Sequence, residues 1–477
     1  MYLFHTSTLV SSLLFTLSLT VYAQHHELSD KPEMWKGKNL ESIDSNSLFY
    51  AFKAGEVNGH FRYFFSNTIN NGVLTDYYAN AVGGGLRYET AKFHGFQFAV
   101  SGFYFFNLYS SDLQNVDSLS GQANRYEIGL FDMENPSNKK DLDRLEELYL
   151  KYTFSKGHVI FGRQLINTPM INLQDGRMRG TGVEGLWMEW MPNAKFEVKG
   201  GWLYAISPRS TTKWYYIGES IGVFPSGVST SGKKSAYQEN LESKGVGILH
   251  VKYKPLKSLE IQAWDYYIEN IMNSALIQAD YTWKWSDRNS LVTGAQFIRQ
   301  DALNYGGNSD QELTYVDQGN QAMTFGGKLG VRSGKIEYSV NYNQITGDGR
   351  YLMPREWGRD PFYTFLARER NEGYGKSQSI VLKAEIKDKN KFHRSSIGAG
   401  YVRLPDVKDV AFNKYGMPSY FQVNLDVRFN WSRLVKGLES QLLVVAKFRE
   451  GETYDQSKYE FNRVNMLLVN AVLNYHF

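Results

Sequence analysis

The sequence predicts an all-β fold: a transmembrane antiparallel β-barrel of about 18 strands. Three observations carry that expectation. From residue 59 onward the chain falls into segments of about ten residues that alternate apolar and polar, as strands do with one face in lipid and one in water. Short turns alternate with longer connections along most of the chain, the topology of an outer-membrane barrel. The apolar faces end in aromatic residues, as they do where a strand leaves hydrocarbon for headgroups. Composition agrees. Aromatics make up 15% of 477 residues, Tyr numbers 33 and Pro only 11, which suits many aromatic-ended strands better than helices or disorder.

The chain opens MYLFHTSTLVSSLLFTLSLTVYAQ. An apolar run from Leu9 to Val21 leads into Val21-Tyr22-Ala23, a small-x-small site of the kind signal peptidase cuts. The first eight residues carry His5 but no Lys or Arg, a departure from the usual basic start. Residues 1–23 are read as an export signal, Gln24 as the mature start, 24–58 as an N-terminal segment and 59–477 as the barrel. No other stretch approaches the ~20 apolar residues of a spanning helix. The expected location is the outer membrane of a Gram-negative bacterium, among its lipids and lipopolysaccharide, after insertion by the barrel-assembly machinery.

The strands follow in order. The segment KKDLDRLEELYLKY spaces Leu142, Leu145 and Leu148 at helical intervals, but Leu148, Leu150, Tyr152 and Phe154 alternate, and a strand is the plainer reading. SALIQADYTWKW (274–285) sets Ala275, Ile277, Ala279, Tyr281, Trp283 and Trp285 against Gln278, Asp280, Thr282 and Lys284. KIEYSVNYN (335–343) and SIVLKAEIK (379–387) behave alike. FQVNLDVRFNWS (421–432) is the clearest, with Phe421, Val423, Leu425, Val427, Phe429 and Trp431 on one face. VNMLLVNAVLNYHF closes the chain, and its apolar face ends in phase on Phe477, read as an assembly signal. RYEIGLF (125–131) also alternates; it is placed within the second outer loop as a local hairpin, because a strand there would make the count odd.

Short turns are expected at 93–95, 155–157, 192–194, 254–257, 286–289, 333–334, 388–394 and 432–440. Longer connections are expected at 67–82, 108–145, 165–181, 206–245, 301–321, 345–377, 404–419 and 450–463. The connection near 269–273 is short where a long one is due. Counted this way the chain gives 18 strands, an even number that returns both termini to one side.

GRQLINTPMINLQDGRM (162–178) and GRYLMPREWGRDPFYTFLARERNEG (349–373) resemble loops of the OprD family of substrate-specific outer-membrane porins. GGGLRYETAKFHGFQFAVSG (83–102) resembles that family's second and third strands, and NKYGMPSYFQVNLDVRF (413–429) its late region. The resemblance implies an 18-stranded barrel, monomeric or homotrimeric, whose third and seventh outer loops fold inward to narrow a pore lined by a ladder of basic residues. Spacing alone places 165–181 third and 345–377 seventh. The charged, aromatic stretch 350–373 is therefore expected inside the lumen, where water keeps its charges hydrated and irregular backbone is tolerated.

Strand parity turns Lys151, Lys199, Lys252, Lys284, Lys328, Arg332, Lys383, Arg428, Lys447 and Arg449 toward the lumen as candidate wall cations, with Glu147, Glu197, Asp280, Glu337, Glu385 and Asp426 opposing them. Signs separated across a narrow section would orient dipolar solutes; ordinary cross-strand ion pairs are the competing reading. In the third loop Asp175, Arg177 and Arg179 are candidate solute contacts, since the guanidinium fork matches carboxylates. Arg355, Glu356, Arg359 and Asp360 are their counterparts in the seventh. In both loops, a carboxylate–arginine pair that merely holds the loop has equal standing.

Other classes find little support. Net charge is +4 from 53 basic and 49 acidic residues, too balanced for a nucleic-acid binder, and the absence of Cys removes thiol chemistry and Cys-based zinc sites. There is no HExxH or GxSxG. GVSTSGKKS (227–235) has Lys234 where a phosphate loop needs Ser or Thr. His25 and His26 are isolated in the N-terminal segment, and no metal or cofactor is expected. An energy-coupled transporter would need a plug far larger than 24–58. A barrel enzyme or an adhesive barrel remains the alternative to a passive channel for amino acids, small peptides or carboxylates.

Overall fold

The computed structural model describes residues 35–36, 44, 46–173, 177–387 and 392–477. The expected export signal, the Gln24 start, His25, His26 and Asp175 lie outside the described residues.

Among the described residues, two-residue strands at Trp35–Lys36 and Tyr215–Tyr216 flank one closed antiparallel barrel of eighteen longer strands. They are β1 (Glu56–Asn70), β2 (Tyr77–Glu89), β3 (Phe96–Ser110), β4 (Leu142–Phe154), β5 (Gly157–Gln164), β6 (Gly182–Asn193), β7 (Phe196–Ser207), β8 (Val246–Leu256) and β9 (Leu259–Ile268). Then come β10 (Met272–Lys284), β11 (Asn289–Ala302), β12 (Gln321–Ser333), β13 (Ile336–Ile345), β14 (Ser377–Lys387), β15 (His393–Arg403), β16 (Tyr420–Asn430), β17 (Leu438–Arg449) and β18 (Met466–His476). Each pairs with its sequence neighbour, and β1 pairs with β18 from His60↔His476 to Asn70↔Met466, so the sheet has no open edge. At that seam Gly59 and Phe477 exchange backbone hydrogen bonds of 2.7 and 3.0 Å. A Cβ on Gly59 would stand 2.5 Å from the Phe477 ring, so glycine permits the contact.

The period of two is inverted relative to a soluble protein. On β16, Gln422, Asn424, Asp426 and Arg428 are buried, while Phe421 and Leu425 are 36% and 39% exposed. On this strand polar residues therefore face the interior and apolar ones form the outer wall. Exposed aromatics gather where the strands leave that wall, including Phe96 beside Tyr152 (centroids 4.7 Å apart) and Phe196 stacked on Tyr253 (4.6 Å).

One end carries short turns and the other the connections 71–76, 111–141, 165–181, 208–245, 269–271, 303–320, 346–376, 404–419 and 450–465. Two expectations fail here. The first long connection, expected over 67–82, is only 71–76, because β1 and β2 stay paired as far as Thr68↔Tyr77. Residues 125–131 form no hairpin. Ile128–Leu130 is a turn of 3-10 helix, and Leu130 and Phe131 pack with Phe64, Tyr77, Phe103 and Met178 inside the barrel. Tyr126 to Phe131 are all buried, so the alternation in sequence marks no exposed face, and periodicity alone does not distinguish such a buried loop from a strand. The strand expected around Leu148 begins earlier, at Leu142, and a register shift between Ser101 and Gly102 turns Glu146 and Glu147 both inward.

Candidate functional site

The connection 346–376 crosses the inside of the barrel. At its base Tyr351 and Tyr374 bridge, with N–H···O distances of 2.8 Å (Tyr351 N to Tyr374 O) and 2.7 Å (Gly373 N to Tyr351 O). Arg350 donates to Val228 O at 2.8 Å, Ser229 O at 3.0 Å and Ala411 O at 3.1 Å, and also to Val410 O, binding the fourth and eighth outer loops. One limb is held by β11: Leu352 N donates to Gln300 Oε1 (2.8 Å), and Gln296 Nε2 donates to Pro361 O (3.0 Å). The other limb is held across the lumen. Gln422 and Asn424 of β16 donate to Ala367 O at 2.8 and 3.0 Å, Lys447 of β17 donates to Arg368 O at 2.8 Å, and Arg368 reaches Asn470 of β18. Between them Tyr363 donates to Asp280 Oδ1 (2.8 Å) and Lys383 donates to Tyr363 O (2.7 Å). Pro354 and Phe362 open tight turns closed by the N–H groups of Trp357 and Phe365.

The connection 165–181 docks directly on this bridge. Asn172 N donates to Trp357 O (3.1 Å), its Nδ2 donates to Arg359 O (3.2 Å), and its Oδ1 accepts from Arg359 N (3.3 Å). Thr181 Oγ1 donates to Glu356 O at 3.0 Å. The third and seventh loops are thus one unit, seated on a buried apolar cluster that includes Met170, Ile171, Trp357 and Phe362. Beneath the third loop a cleft of about 420 Å³ opens, lined by His158, Gln164, Trp187, Glu189, Lys199 and Trp264 among others.

The individual side chains have specific places. Arg177 is buried beside Gly129 of the second outer loop. Arg179 pairs with Glu146 on β4, lies 3.2 Å from His60 Nδ1 and stacks 4.2 Å from the Phe103 ring centroid. Arg355 sits 4.3 Å over the Tyr415 ring, reaches Pro225 O and lies 3.5 Å from Glu372. Glu356 Oε1 accepts from Gly222 N (2.9 Å) and Phe224 N (3.0 Å), so it caps the fourth outer loop. Arg359 is buried against the Phe365 ring at 4.3 Å, and Asp360 accepts from Asn371 N at 2.8 Å. Burial holds the Asp360 carboxyl above its ordinary range, opposed by Arg370.

The wall cations are engaged as well. Lys328 and Arg332 share Glu337 at 2.5 and 2.6 Å, Arg428 lies 3.1 Å from Asp426, and Lys383 and Lys447 hold the seventh loop as described. Arg449 pairs at 2.5 Å with Glu460 of the last outer loop, at the rim. Lys199 lies 3.3 and 3.2 Å from Glu189 and Glu197.

Sequence reasoning missed a buried hub. Glu372 lies 2.9 Å from Lys414 and accepts from Tyr415 (2.6 Å) and Tyr315 (3.3 Å), while Lys414 donates to Tyr237 at 3.1 Å. This joins the fourth, sixth, seventh and eighth outer loops. Burial pushes the Lys414 ammonium down from its ordinary value, with Glu372 opposing the shift. Also missed was Glu127 of the second loop, buried and bonded by Ser66, Thr68 and Asn124, its carboxyl raised by burial. No signal in the sequence links partners so far apart along the chain. Among the described residues no group of His, Asp and Glu could hold a metal ion.

A family model described as "outer membrane porin, OprD family" matches residues 108–418. Solved structures are similar in fold. OccAB4 of Acinetobacter baumannii is 15% identical, with a TM-score of 0.65 over 89% of this chain and 98% of that one. OccK9 (OpdG) of Pseudomonas aeruginosa is 13% identical, with a TM-score of 0.67 over 90% and 99%. OpdK of Pseudomonas aeruginosa, whose structure was solved with vanillate, is 11% identical, with a TM-score of 0.65 over 89% and 98%. No curated protein matches the chain in sequence.

Proposed function

Because the chain belongs to the OprD family of outer membrane porins, we propose that its barrel passes small hydrophilic solutes down their gradient, preferring amino acids, small peptides or carboxylates, through a constriction made by the third and seventh outer loops. The observation that carries this reading is the seventh loop's span from Gln296 on β11 to Lys447 on β17, with the third loop clamped to it at Asn172. A loop fixed at both walls of a water-filled barrel narrows the path and sets which charges a solute meets. A planar organic acid such as the vanillate found with OpdK fits the preference assigned here. In this reading Asp175, Arg177, Arg179, Arg355, Glu356, Arg359 and Asp360 shape the constriction. Lys328, Arg332, Lys383, Arg428, Lys447 and Arg449 give the wall its basic character.

Replacing Arg355 and Arg359 together by Ala removes two long side chains and two positive charges. In planar bilayers, single-channel conductance should rise and the preference for anionic over cationic solutes should fall. Parental conductance and ion preference in the double variant would show that the loop does not form the constriction.

The chain reaches the outer membrane, in this proposal, through cleavage after Ala23, and works as a monomer or homotrimer. Phe477, sealed over Gly59 at the seam, serves as an assembly signal. Changing Phe477 to Asp should leave heat-modifiable, folded barrel scarce in outer-membrane fractions; an unchanged yield would make the terminal aromatic incidental.

A further inference from the structure

A feature outside the channel remains unexplained by solute passage. Before β1, Leu48–Lys53 forms a short helix, α1, capped by the Ser47 hydroxyl, which accepts from Tyr50 N at 3.0 Å. Its one buried residue, Ala51, faces the turn between β2 and β3, and its carbonyl accepts from Ala91 N at 2.9 Å. The helix ends against Tyr88, whose hydroxyl donates to Phe52 O at 2.5 Å. Tyr88 has the parity of Leu86, which is 60% exposed on the outer wall, so α1 is fastened to the lipid side of the barrel and not to its lumen.

Leu48, Phe49 and Phe52 share one arc of α1 and are 55%, 60% and 48% exposed. Nothing in the described chain covers them. We propose that this arc is a membrane foot, inserted among phospholipids of the periplasmic leaflet of the outer membrane.

Three considerations fix the occupant as lipid. First, α1 sits at the short-turn end, periplasmic in a barrel of this class, and continues the aromatic girdle at Phe96 and Tyr152 on the adjoining strands. Second, Lys53 lies 4.8 Å over the Phe49 ring, at the edge of the arc, where its ammonium reaches the headgroup phosphates while its stem stays with the apolar face. Third, three side chains present far less than the ~1,200 Å² that a stable protein interface buries, whereas partitioning into an interface already occupied by the barrel requires no such area. Such a foot would fix the height of the first strands in the bilayer, next to the short pairing of Trp35–Lys36 with Glu56 and Val57.

The absence of native Cys makes the test direct. Single variants Leu48→Cys, Phe49→Cys, Phe52→Cys and Tyr50→Cys are labelled with nitrobenzoxadiazole and reconstituted at one barrel per phosphatidylethanolamine/phosphatidylglycerol nanodisc. Val73→Cys, on an outer loop and 85% exposed, supplies the aqueous reference. Folding of each variant is verified by heat-modifiable mobility, and three foot positions guard against one failing to fold. The foot positions should emit at shorter wavelength than position 73 and be quenched at least twofold more by lipid with doxyl at carbon 5 than by lipid with doxyl at carbon 12. Position 50, on the opposite face, should be quenched less. Water-like emission at the foot would overturn the proposal. So would a blue shift without lipid quenching, which would mean that the chain's own residues cover the arc. A blue shift seen only with several barrels per disc would assign the arc to contact between copies.

Discussion

Two arcs of the same wall hold the seventh loop by different physics. Across β6 to β11, the inward residues Val183, Trp187, Leu203, Ile248, Trp264 and Ile298 merge with Met170, Ile171, Tyr351, Trp357 and Phe362 of the loops into one buried apolar cluster. Across β14 to β17 the inward residues include Lys383, Gln422, Asn424, Asp426, Arg428 and Lys447 beside the apolar Val381, Leu443 and Val445. Lys383, Gln422, Asn424 and Lys447 donate to the loop's carbonyls, and a smaller apolar cluster that includes Leu443 and Val445 meets the loop at Ala367. Apolar burial is strong and non-directional, worth about 25 cal/mol per Å², so it decides that the loop stays docked. Hydrogen bonds contribute only about 1 kcal/mol each in net terms, but they are directional. They fix where the loop lies against the wall. Docking rests mainly on the first arc, where Gln296 and Gln300 also hydrogen-bond the loop, and aim mainly on the second.

The largest test of that division is Trp357→Ala. Trp357 is 2% exposed and donates from Nε1 to Ser220 Oγ at 2.9 Å. Emptying such a site costs about 3–5 kcal/mol. The folded barrel should become protease-sensitive within 350–373, and its conductance should rise with added noise. A loop still protected would show that the polar arc alone keeps it docked, and the division fails.

Next comes the hub where outer loops meet. Glu372→Ala leaves the Lys414 ammonium buried without its carboxylate, a loss of about 3 kcal/mol, at the low end of breaking a buried pair because Tyr237 still accepts from Lys414. Adding Lys414→Met should restore most of the lost protection, since an apolar replacement of both partners carries no orphaned charge. If the double variant is as loose as the single one, Glu372 acts through Arg355 and Tyr415 and not through Lys414.

The two arcs were unequally legible in the sequence. Parity placed Gln422, Asp426 and Arg428 inward because the strand repeat is two and each residue's face follows from its neighbours. Spacing placed 165–181 between β5 and β6 because turns and long connections alternate. What those loop residues do was not legible. Arg355 and Glu356 look alike as candidate solute contacts, yet one stacks on Tyr415 and the other caps the fourth outer loop through Gly222 and Phe224. Those contacts join residues more than fifty positions apart and depend on how the loops turn inside the barrel, which no local pattern encodes. Glu146 was missed for another reason. A bulge adds one residue to β4 and breaks the parity that otherwise reads each face.

The smallest effect is a pH dependence confined to the polar side. Glu369 is fully buried, accepts from Asn371 Nδ2 at 3.0 Å and Leu366 N at 3.1 Å, and faces Asp360 and Lys447. Burial raises its carboxyl from 4.5 to about 7, with the hydrogen bonds and Lys447 only partly offsetting it. The sign follows from proton linkage. An undocked loop would release this proton near the ordinary carboxylate value, whereas the docked loop keeps it to about 7. Docking is therefore strongest below pH 4.5 and weakens as pH rises to about 7, then levels off. Open-channel noise should grow between pH 5 and 7.5 while mean conductance changes little, because the apolar arc still holds the loop. Glu369→Gln, neutral throughout, should give a flat profile near the parent's quiet, low-pH behaviour. Parental noise independent of pH would mean that the carboxyl is ionised at all these values and that the polar arc carries a compensating charge. Noise that rises with pH equally in Glu369→Gln would move the titration to Asp360, whose carboxyl burial also raises.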